Sequence, residues 1–321
     1  MRADMTVVVL GSVTWDVAAF ADRLPKPGET LLGRNYITGL GGKGANQAAA
    51  AVKLGAPTKF FGRIGDDQFG QDIIAAFDKL NLDSSGVRID PEVATALGVI
   101  LVGANGENAI IQAAGANRMV DETDVVRAGQ SLEGAKALLL QFEIPLEITL
   151  SAARAGRKAG ATVILDPAPT PSDGIAGSVL MAADIITPNE VEAETYVGFR
   201  PYDKKTGIAA AVRLVDIGAP AAIVTMGANG TAWATAGGES GFQPVFRVDA
   251  IDTVGAGDCF NGALAVALTE GLALPAAIRF ASVAAAISTT RSGAANSAAT
   301  REEVDRLLNI NCYSKNLFKR T

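Results

Sequence analysis

Asp258 closes the stretch Asp252-Thr253-Val254-Gly255-Ala256-Gly257-Asp258, and an apolar, alanine-rich run follows from Phe260 to Leu268. Glycines at 255 and 257 remove side chains where an anion could approach the backbone. The apolar run predicts a buried helix. A helix opening on small residues offers unpaired amides and a partial positive charge, which together make an anion site. A carboxylate beside such a site is what phosphoryl transfer to a hydroxyl needs. The acid takes the hydroxyl proton, and the amides hold the charge that builds on the moving group. The helix terminus is expected to keep Asp258 ionised by lowering its pKa. An aspartate that only caps a helix over a glycine turn explains the same residues.

A second glycine-rich stretch, Gly39-Leu40-Gly41-Gly42-Lys43-Gly44-Ala45-Asn46-Gln47, opens an alanine-rich helix that runs to about Leu54. It is not a P-loop, because neither Ser nor Thr follows Lys43. Gly39, Gly41 and Gly44 match G-x-G-x-x-G formally, but they lie far beyond the first strand, where a dinucleotide fold wants a tight turn. What the stretch displays is a lysine and an asparagine on a glycine turn, suited to a polyhydroxyl or phosphorylated ligand. Close packing of a glycine turn on a sheet is the other account of it.

The chain contains no histidine. That excludes Ser-His-Asp and Cys-His nucleophiles and imidazole zinc sites, and leaves acid-base work to carboxylates, Lys, Cys or Tyr. The two cysteines, Cys259 and Cys312, lie far apart, which fits a reducing compartment rather than a disulfide framework. Cys259, next to Asp258, reads either as a reactive thiol or as a small buried residue. A net charge of -6 without a basic run argues against nucleic acid. The apolar start is too short for a signal peptide and no stretch approaches a membrane span, so a cytoplasmic protein is expected.

The elements that must position these residues follow a strand-helix rhythm. Strands are expected at Thr6–Leu10, Thr58–Phe61, Ala137–Gln141, Thr162–Leu165, Ala183–Thr187, Ala221–Thr225 and Asp249–Thr253. Helices are expected after Asp67 to about Leu80, after Glu143 to about Ala159, after Glu190, over Thr206–Val215, Pro275–Thr289 and Glu302–Leu308. The tail from Asn309 carries little pattern. This alternation predicts a doubly wound α/β fold, a mainly parallel sheet covered on both faces. Asp16, Glu143, Asp166, Asn189, Thr225 and Asp252 are expected just past strand ends, where open α/β sheets bind ligands. Two segments break the rhythm. Residues 14–40 lack helical period, and Leu97–Val102 with Ala109–Gln112 flank Asn105-Gly106-Glu107 as a hairpin. They predict a small β lid from residues 14–40 and 95–115, inserted into a body of residues 1–13, 41–94 and 116–321.

Gly41-Gly42-Lys43-Gly44-Ala45-Asn46 and Asp252 to Asp258 together resemble the two signatures of the ribokinase-like (PfkB) carbohydrate kinases. Pro27-Gly28-Glu29-Thr30, Ala114-Gly115-Ala116-Asn117, Asp184 to Glu190 and Ala277 to Ala281 resemble the ribokinase branch. The likeness spans Val7 to about Val304. It implies an ATP-dependent kinase acting on the terminal hydroxymethyl of a pentose, D-ribose first, with Asp258 as base and the amides of Gly255, Ala256 and Gly257 as anion hole. It implies that Thr14, Asp16, Gly42, Lys43, Asn46 and Glu143 face the sugar. Asn189 and Glu192 would lie near the phosphates and Mg²⁺, and Thr225, Gly227, Gly230 and Ser282 would line the nucleotide. Asp252, Val254, Ser288, Arg291, Gly293 and Ser297 match a loop pair that holds K⁺ in the family. The resemblance also implies a homodimer joined through the lids.

One position departs from the family pattern. Ribokinases usually carry Asn where this chain has Thr14, followed here by Trp15. A hydroxyl replaces an amide with separate donor and acceptor ends. An unserved sugar hydroxyl would cost about 1–3 kcal/mol, so 2-deoxyribose, another small sugar such as a ketose, or a nucleoside stands as an alternative substrate. Two other classes account for less of the sequence. A nicotinamide oxidoreductase would rest on Gly39, Gly41 and Gly44 and leave Asp258 unexplained. A non-catalytic sugar sensor would be expected to have lost the base or the anion turn, and both are present.

Overall fold

The computed structural model describes residues 7–170 and 177–317, with side chains described for fewer of the last residues. The chain begins with β1 (Val7–Leu10), then β2 (Thr14–Phe20) and β3 (Asn35–Gly41), α1 (Lys43–Lys53), β4 (Thr58–Gly65), α2 (Gln68–Leu80) and β5 (Asp83–Asp90). Next come β6 (Leu97–Val102), β7 (Asn108–Ala113), α3 (Glu122–Leu132), β8 (Ala137–Leu140), α4 (Leu146–Lys158) and β9 (Thr162–Leu165). The C-terminal part holds α5 (Gly177–Leu180), β10 (Ile185–Ile186), α6 (Glu190–Val197), α7 (Lys204–Asp216), β11 (Ala221–Thr225), β12 (Thr231–Thr235) and β13 (Ser240–Gln243). It ends with α8 (Ala256–Thr269), α9 (Leu274–Ser288) and α10 (Arg301–Leu317).

Nine strands form one sheet in the order β13-β12-β11-β10-β9-β8-β1-β4-β5, and four form another in the order β3-β2-β6-β7. The large sheet is parallel except at β12 and β13, which run antiparallel at one edge. Its buried strands show why two helical layers are needed. Val7 and Val9 point into one apolar cluster and Val8 and Leu10 into the other. Leu139 and Leu138 divide the same way, as do Ile164 and Val163. A period of two with apolar residues at every position buries both faces. The first cluster takes alanines of α1, α8 and α9, and the second takes apolar residues of α3, α4 and α7.

Strand order reverses at β1. The chain leaves β1 toward β4 on one side, and β8 later pairs on the other. That switch point opens a crevice at the carboxyl ends of the strands. The second sheet is built from the two segments that broke the rhythm. β2 and β6 pair in parallel, which brings the segments together, while β3 and β7 pair antiparallel on either side.

Several expectations are corrected. No strand forms at Asp249–Thr253: Ile251 is largely exposed, and the amides of Ile251 and Asp252 both donate to the Thr289 carbonyl at the end of α9. Asp252 therefore follows no strand, and Asp16 lies within β2 rather than past β1. β5, β12 and β13 are strands that the alternation did not single out. The last helix continues to Leu317 instead of ending near Leu308. Thr6, expected in β1, and residues 318–321 lie outside the described residues.

Candidate active site

α8 starts at Ala256 behind Gly255, whose φ of 75° is left-handed. A Cβ at Gly255 would run into Ala294, whereas one at Gly257 would meet nothing within 4 Å. The backbone at Gly257 thus carries no neighbour on its Cβ side, which leaves room for a ligand at the start of α8, as an anion cradle requires. Asp258 is on the first turn of α8 and is buried. It does not cap that helix. Its carboxylate turns to α1 and accepts from Asn46 Nδ2 at 3.0 Å and from Gln47 Nε2 at 3.3 Å. Burial lifts its pKa to about 6, with Lys43 opposing and Asp166 adding to the rise. The expected lowering by the helix terminus does not prevail, because loss of hydration outweighs a partial charge.

Lys43 opens α1, and Gly42 before it has a φ of 87°. Lys43 Nζ lies 3.2 Å from Asp166 Oδ2, at the end of β9. Burial works against the ammonium, but Asp166, Asp258, Glu192 and Glu143 outweigh it and hold the pKa well above its ordinary value. Burial also lifts Asp166 to about 6, against the pull of Lys43. Glu143, past the end of β8, accepts from the Lys43 amide at 2.9 Å, from Ser12 Oγ, and from Gln112 Nε2 on β7 at 3.2 Å. Ser12 and Glu143 follow β1 and β8, so this contact sits on the switch point.

Asp16 projects from the second sheet. Desolvation raises its pKa, Thr14 Oγ1 donates to it at 2.8 Å, and Glu143 pushes it up further. Glycines make its slot: a Cβ at Gly41 or at Gly98 would collide with the carboxylate. Glu143 raises Asp258 as well as Asp16, so the two sheets contribute acids to one field. Asn46 Oδ1 is buried with no protein partner. Its amide orientation is dictated by Asp258, which accepts from Nδ2, so Oδ1 is left as an unused acceptor beside the carboxylate.

Asn189 caps α6. Its Oδ1 accepts from the amides of Val191 and Glu192, and its Nδ2 donates to Glu192 Oε1 at 2.8 Å. Asn189 therefore holds Glu192, whose pKa is raised by burial. Thr225 pairs beside Asn189 as an isolated parallel bridge. Gly227 and Gly230 follow it with φ of 50° and 91°; the space above Gly227 is open. Ser282 lies on α9 with its Oγ buried and unpartnered. Asp252 accepts from the amides of Val254 and Gly293, at 3.0 Å each, and so ties two loops together. Ser288 and Ser297 hydroxyls donate to the carbonyls of Ala285 and Ala294. The Arg291 guanidinium pairs with Glu303 at 2.9 Å, leaving only its backbone oxygen as a donor for a cation.

The structure brings Asp258, Asn46, Lys43, Glu143 and Asp16 to one crevice. Sequence reasoning missed Gln47 as a site residue, although it directly follows Asn46; it set Asp166 among the strand-end candidates but gave it no role of its own. It also missed Ser12 and Gln112. Gly39 and Gly41 lie in β3, not between strand and helix, so the dinucleotide pattern has no structural counterpart. Cys259 is buried, and burial raises its thiol to about 11, as a packing residue.

An anion cradle with a buried carboxylate behind it, in a crevice between two sheets, defines a phosphotransferase with an alcohol acceptor. Residues 4–301 match the pfkB family carbohydrate kinases, and the chain belongs to that family. It is 39% identical over 298 residues to a ribokinase of Haemophilus influenzae, covering 93% of this chain and 96% of the relative. It is 36% identical over 308 residues to a deoxyribokinase of Salmonella typhi, covering 96% and 100%. Among solved structures, an Arabidopsis thaliana ribokinase complexed with ribose and ATP superposes with a TM-score of 0.85 at 34% identity, covering 95% and 98%.

Proposed function

We propose that the protein transfers the γ-phosphoryl group of ATP to the terminal hydroxymethyl of a pentose, converting D-ribose to D-ribose 5-phosphate. One observation carries this reading. Asp258 is buried, unused as a cap, and held by Asn46 and Gln47 beside the open cradle over Gly257. In the mechanism, Asp258 accepts the proton as the sugar hydroxyl attacks in line, and the amides of Gly255, Ala256 and Gly257 take the growing charge. Asp16, Gly42, Lys43, Asn46 and Glu143 orient the sugar hydroxyls. The nucleotide lies along Asn189, Thr225, Gly227, Gly230 and Ser282, and the Arabidopsis thaliana ribokinase complexed with ribose and ATP supports the pairing of ligands.

Two ions fit the residues present. Glu192 has a lone pair left on each oxygen after Asn189 is served, so it suits water-mediated Mg²⁺. Mg²⁺ there would neutralise nucleotide phosphates. The loops joined by Asp252 offer only oxygen donors: a carboxylate, the hydroxyls of Ser288 and Ser297, and the backbone oxygens of Val254, Arg291 and Gly293. That set suits a hard monovalent cation, K⁺, next to the cradle.

Residues 14–40 and 95–115 act as a lid over a body of residues 1–13, 41–94 and 116–321. The lid sheet exposes Tyr36, Ile37, Ile110 and Ile111, which supports a homodimer packed lid to lid. No helix among the described residues is long and apolar enough to cross a membrane. With few cysteines and no basic run, the protein works in the cytoplasm on small molecules rather than nucleic acid.

A second reading has its own support. Thr14 Oγ1 donates to Asp16, so it is occupied within the protein rather than offered as an amide. That favours a sugar lacking one hydroxyl, as does the similarity to a deoxyribokinase. ATP consumption with Mg²⁺ and K⁺ is measured against ribose, 2-deoxyribose, arabinose, xylulose, fructose and adenosine. Preference for ribose supports the first reading and preference for 2-deoxyribose the second. No consumption with any of them refutes both.

A further inference from the structure

Gln47 and Gln141 are both fully buried polar side chains; Gln47 holds Asp258, and Gln141 touches no group that acts on a ligand. Gln47 Nε2 donates to Asp166 Oδ2 at 3.0 Å and to Asp258 Oδ1 at 3.3 Å. Its Oε1 accepts from Gln141 Nε2 at 2.7 Å. Chemistry dictates these orientations. Two carboxylates can only accept, so Gln47 must present its NH₂ to them and its oxygen to the other side. Gln141 must then present its own NH₂ to that oxygen. Its Oε1 ends against Gly11, where any Cβ would strike it, and it has no protein partner. A buried acceptor without a partner costs about 1–3 kcal/mol. The fold accepts that cost just past β1, at the switch point.

We propose that Gln141 and Gln47 form a buried amide relay that positions Asp258 for proton abstraction and couples it to the Asp166–Lys43 pair. The relay rests on the reading of Asp258 as the base. Asn46 grips one carboxylate oxygen and Gln47 the other, so two consecutive residues of α1 fix the plane of the carboxylate. Each oxygen keeps a second lone pair for the substrate hydroxyl. The charged groups around the base are Lys43 on α1, Glu143 after β8, Asp166 after β9 and Glu192 on α6. Gln47 is the neutral donor between Asp166 and Asp258. Without it, the two carboxylates face each other with less to separate their charge, and Asp258 ionises less readily.

The test follows turnover of the sugar preferred in the substrate panel across pH 5–9 for Gln47→Met, Gln141→Met and Asp258→Asn. Gln47→Met should lower kcat about tenfold or more near pH 7. One hydrogen bond to a carboxylate corresponds to about one pH unit, so the acidic limb of kcat/KM should move up by about that much. Sugar KM should stay within about threefold, because Asp16, Lys43 and Asn46 are untouched. Gln141→Met leaves every group in contact with Asp258 and only frees Gln47 to turn. It should move the limb in the same direction by less, and it carries the test if Gln47→Met does not fold. An unmoved limb in a variant with wild-type circular dichroism overturns the relay. Asp258→Asn keeps the two readings apart. If it retains a third of wild-type activity, the base assignment fails. If it collapses while the limb in Gln47→Met stays put, only the relay fails.

Discussion

Asp258→Asn should make the protein more stable and almost inactive, and the stability gain should depend on pH. Burial raises the Asp258 carboxyl from 3.8 to about 6. Linkage converts a difference of that size into about 3 kcal/mol. The folded chain holds the proton more tightly than the unfolded one, so ionisation penalises the native state. The penalty is absent below the ordinary value, grows as pH rises toward 6, and is complete above it. An uncharged amide escapes it. Against this, Asn46 and Gln47 both donate to the carboxylate. An amide has a single acceptor atom, so one donor loses its partner at a cost of about 1–3 kcal/mol. The net is a gain on the order of 1 kcal/mol at about pH 7.5, a rise in Tm of about 2 °C. The gain should shrink steadily toward pH 5. Turnover should fall about 10²–10⁴-fold with sugar affinity nearly kept. Thermal unfolding from pH 5 to 8 and a coupled ATP assay measure both. A variant that is less stable at pH 7.5, or whose stability difference does not change with pH, refutes the desolvation argument. Activity within threefold of wild type refutes the assignment of the base.

Three other perturbations separate neighbouring parts. Gly257→Ala places a Cβ where nothing stands within 4 Å, so Tm should change little while ATP affinity, measured by calorimetry, drops about tenfold or more. Gly98→Ala puts a methyl against the Asp16 carboxylate; sugar KM should rise at least about tenfold with ATP binding kept, and an unchanged KM would remove Asp16 from the sugar site. Asp252→Ala cuts the tie to Val254 and Gly293. Wild-type turnover should be faster in K⁺ than in Na⁺, this difference should vanish in the variant, and equal wild-type rates in both salts would count against the cation loops.

Much of this was readable in the sequence. β9 and β11 have the expected bounds, because short β-branched runs buried on both faces leave no other reading. Asp258 with its glycine turn, and Lys43 with Asn46, were visible because glycine and charge stand out in a helix-opening segment. What was hidden is governed by contacts distant in the chain. β5 is polar enough to pass for a loop and is a strand only because β4 pairs with it. Asp249–Thr253 looks extended, yet its amides are spent on Thr289 rather than on a ladder. The elevated pKa of Asp258 depends on how deeply α8 and α1 bury it, which local sequence does not encode. Gln47 was in view but looked like an ordinary helix residue; its meaning came from two carboxylates, at 166 and 258, that the fold carries to it.

The glycine slot around Asp16 belongs to the small sheet, whereas Asp258, Lys43 and the cradle at Gly257 belong to the large one. A molecule that touches both sets is a crosslink between two separately built plates. In the lid arrangement proposed above, its measured affinity would include the work of seating one plate on the other. Residues far from any hydroxyl, such as Asn117, which clasps the backbone of Val13 where the chain crosses between plates, would tune that work. Selectivity among sugars would accordingly be adjustable at the joints, with the reacting atoms left alone.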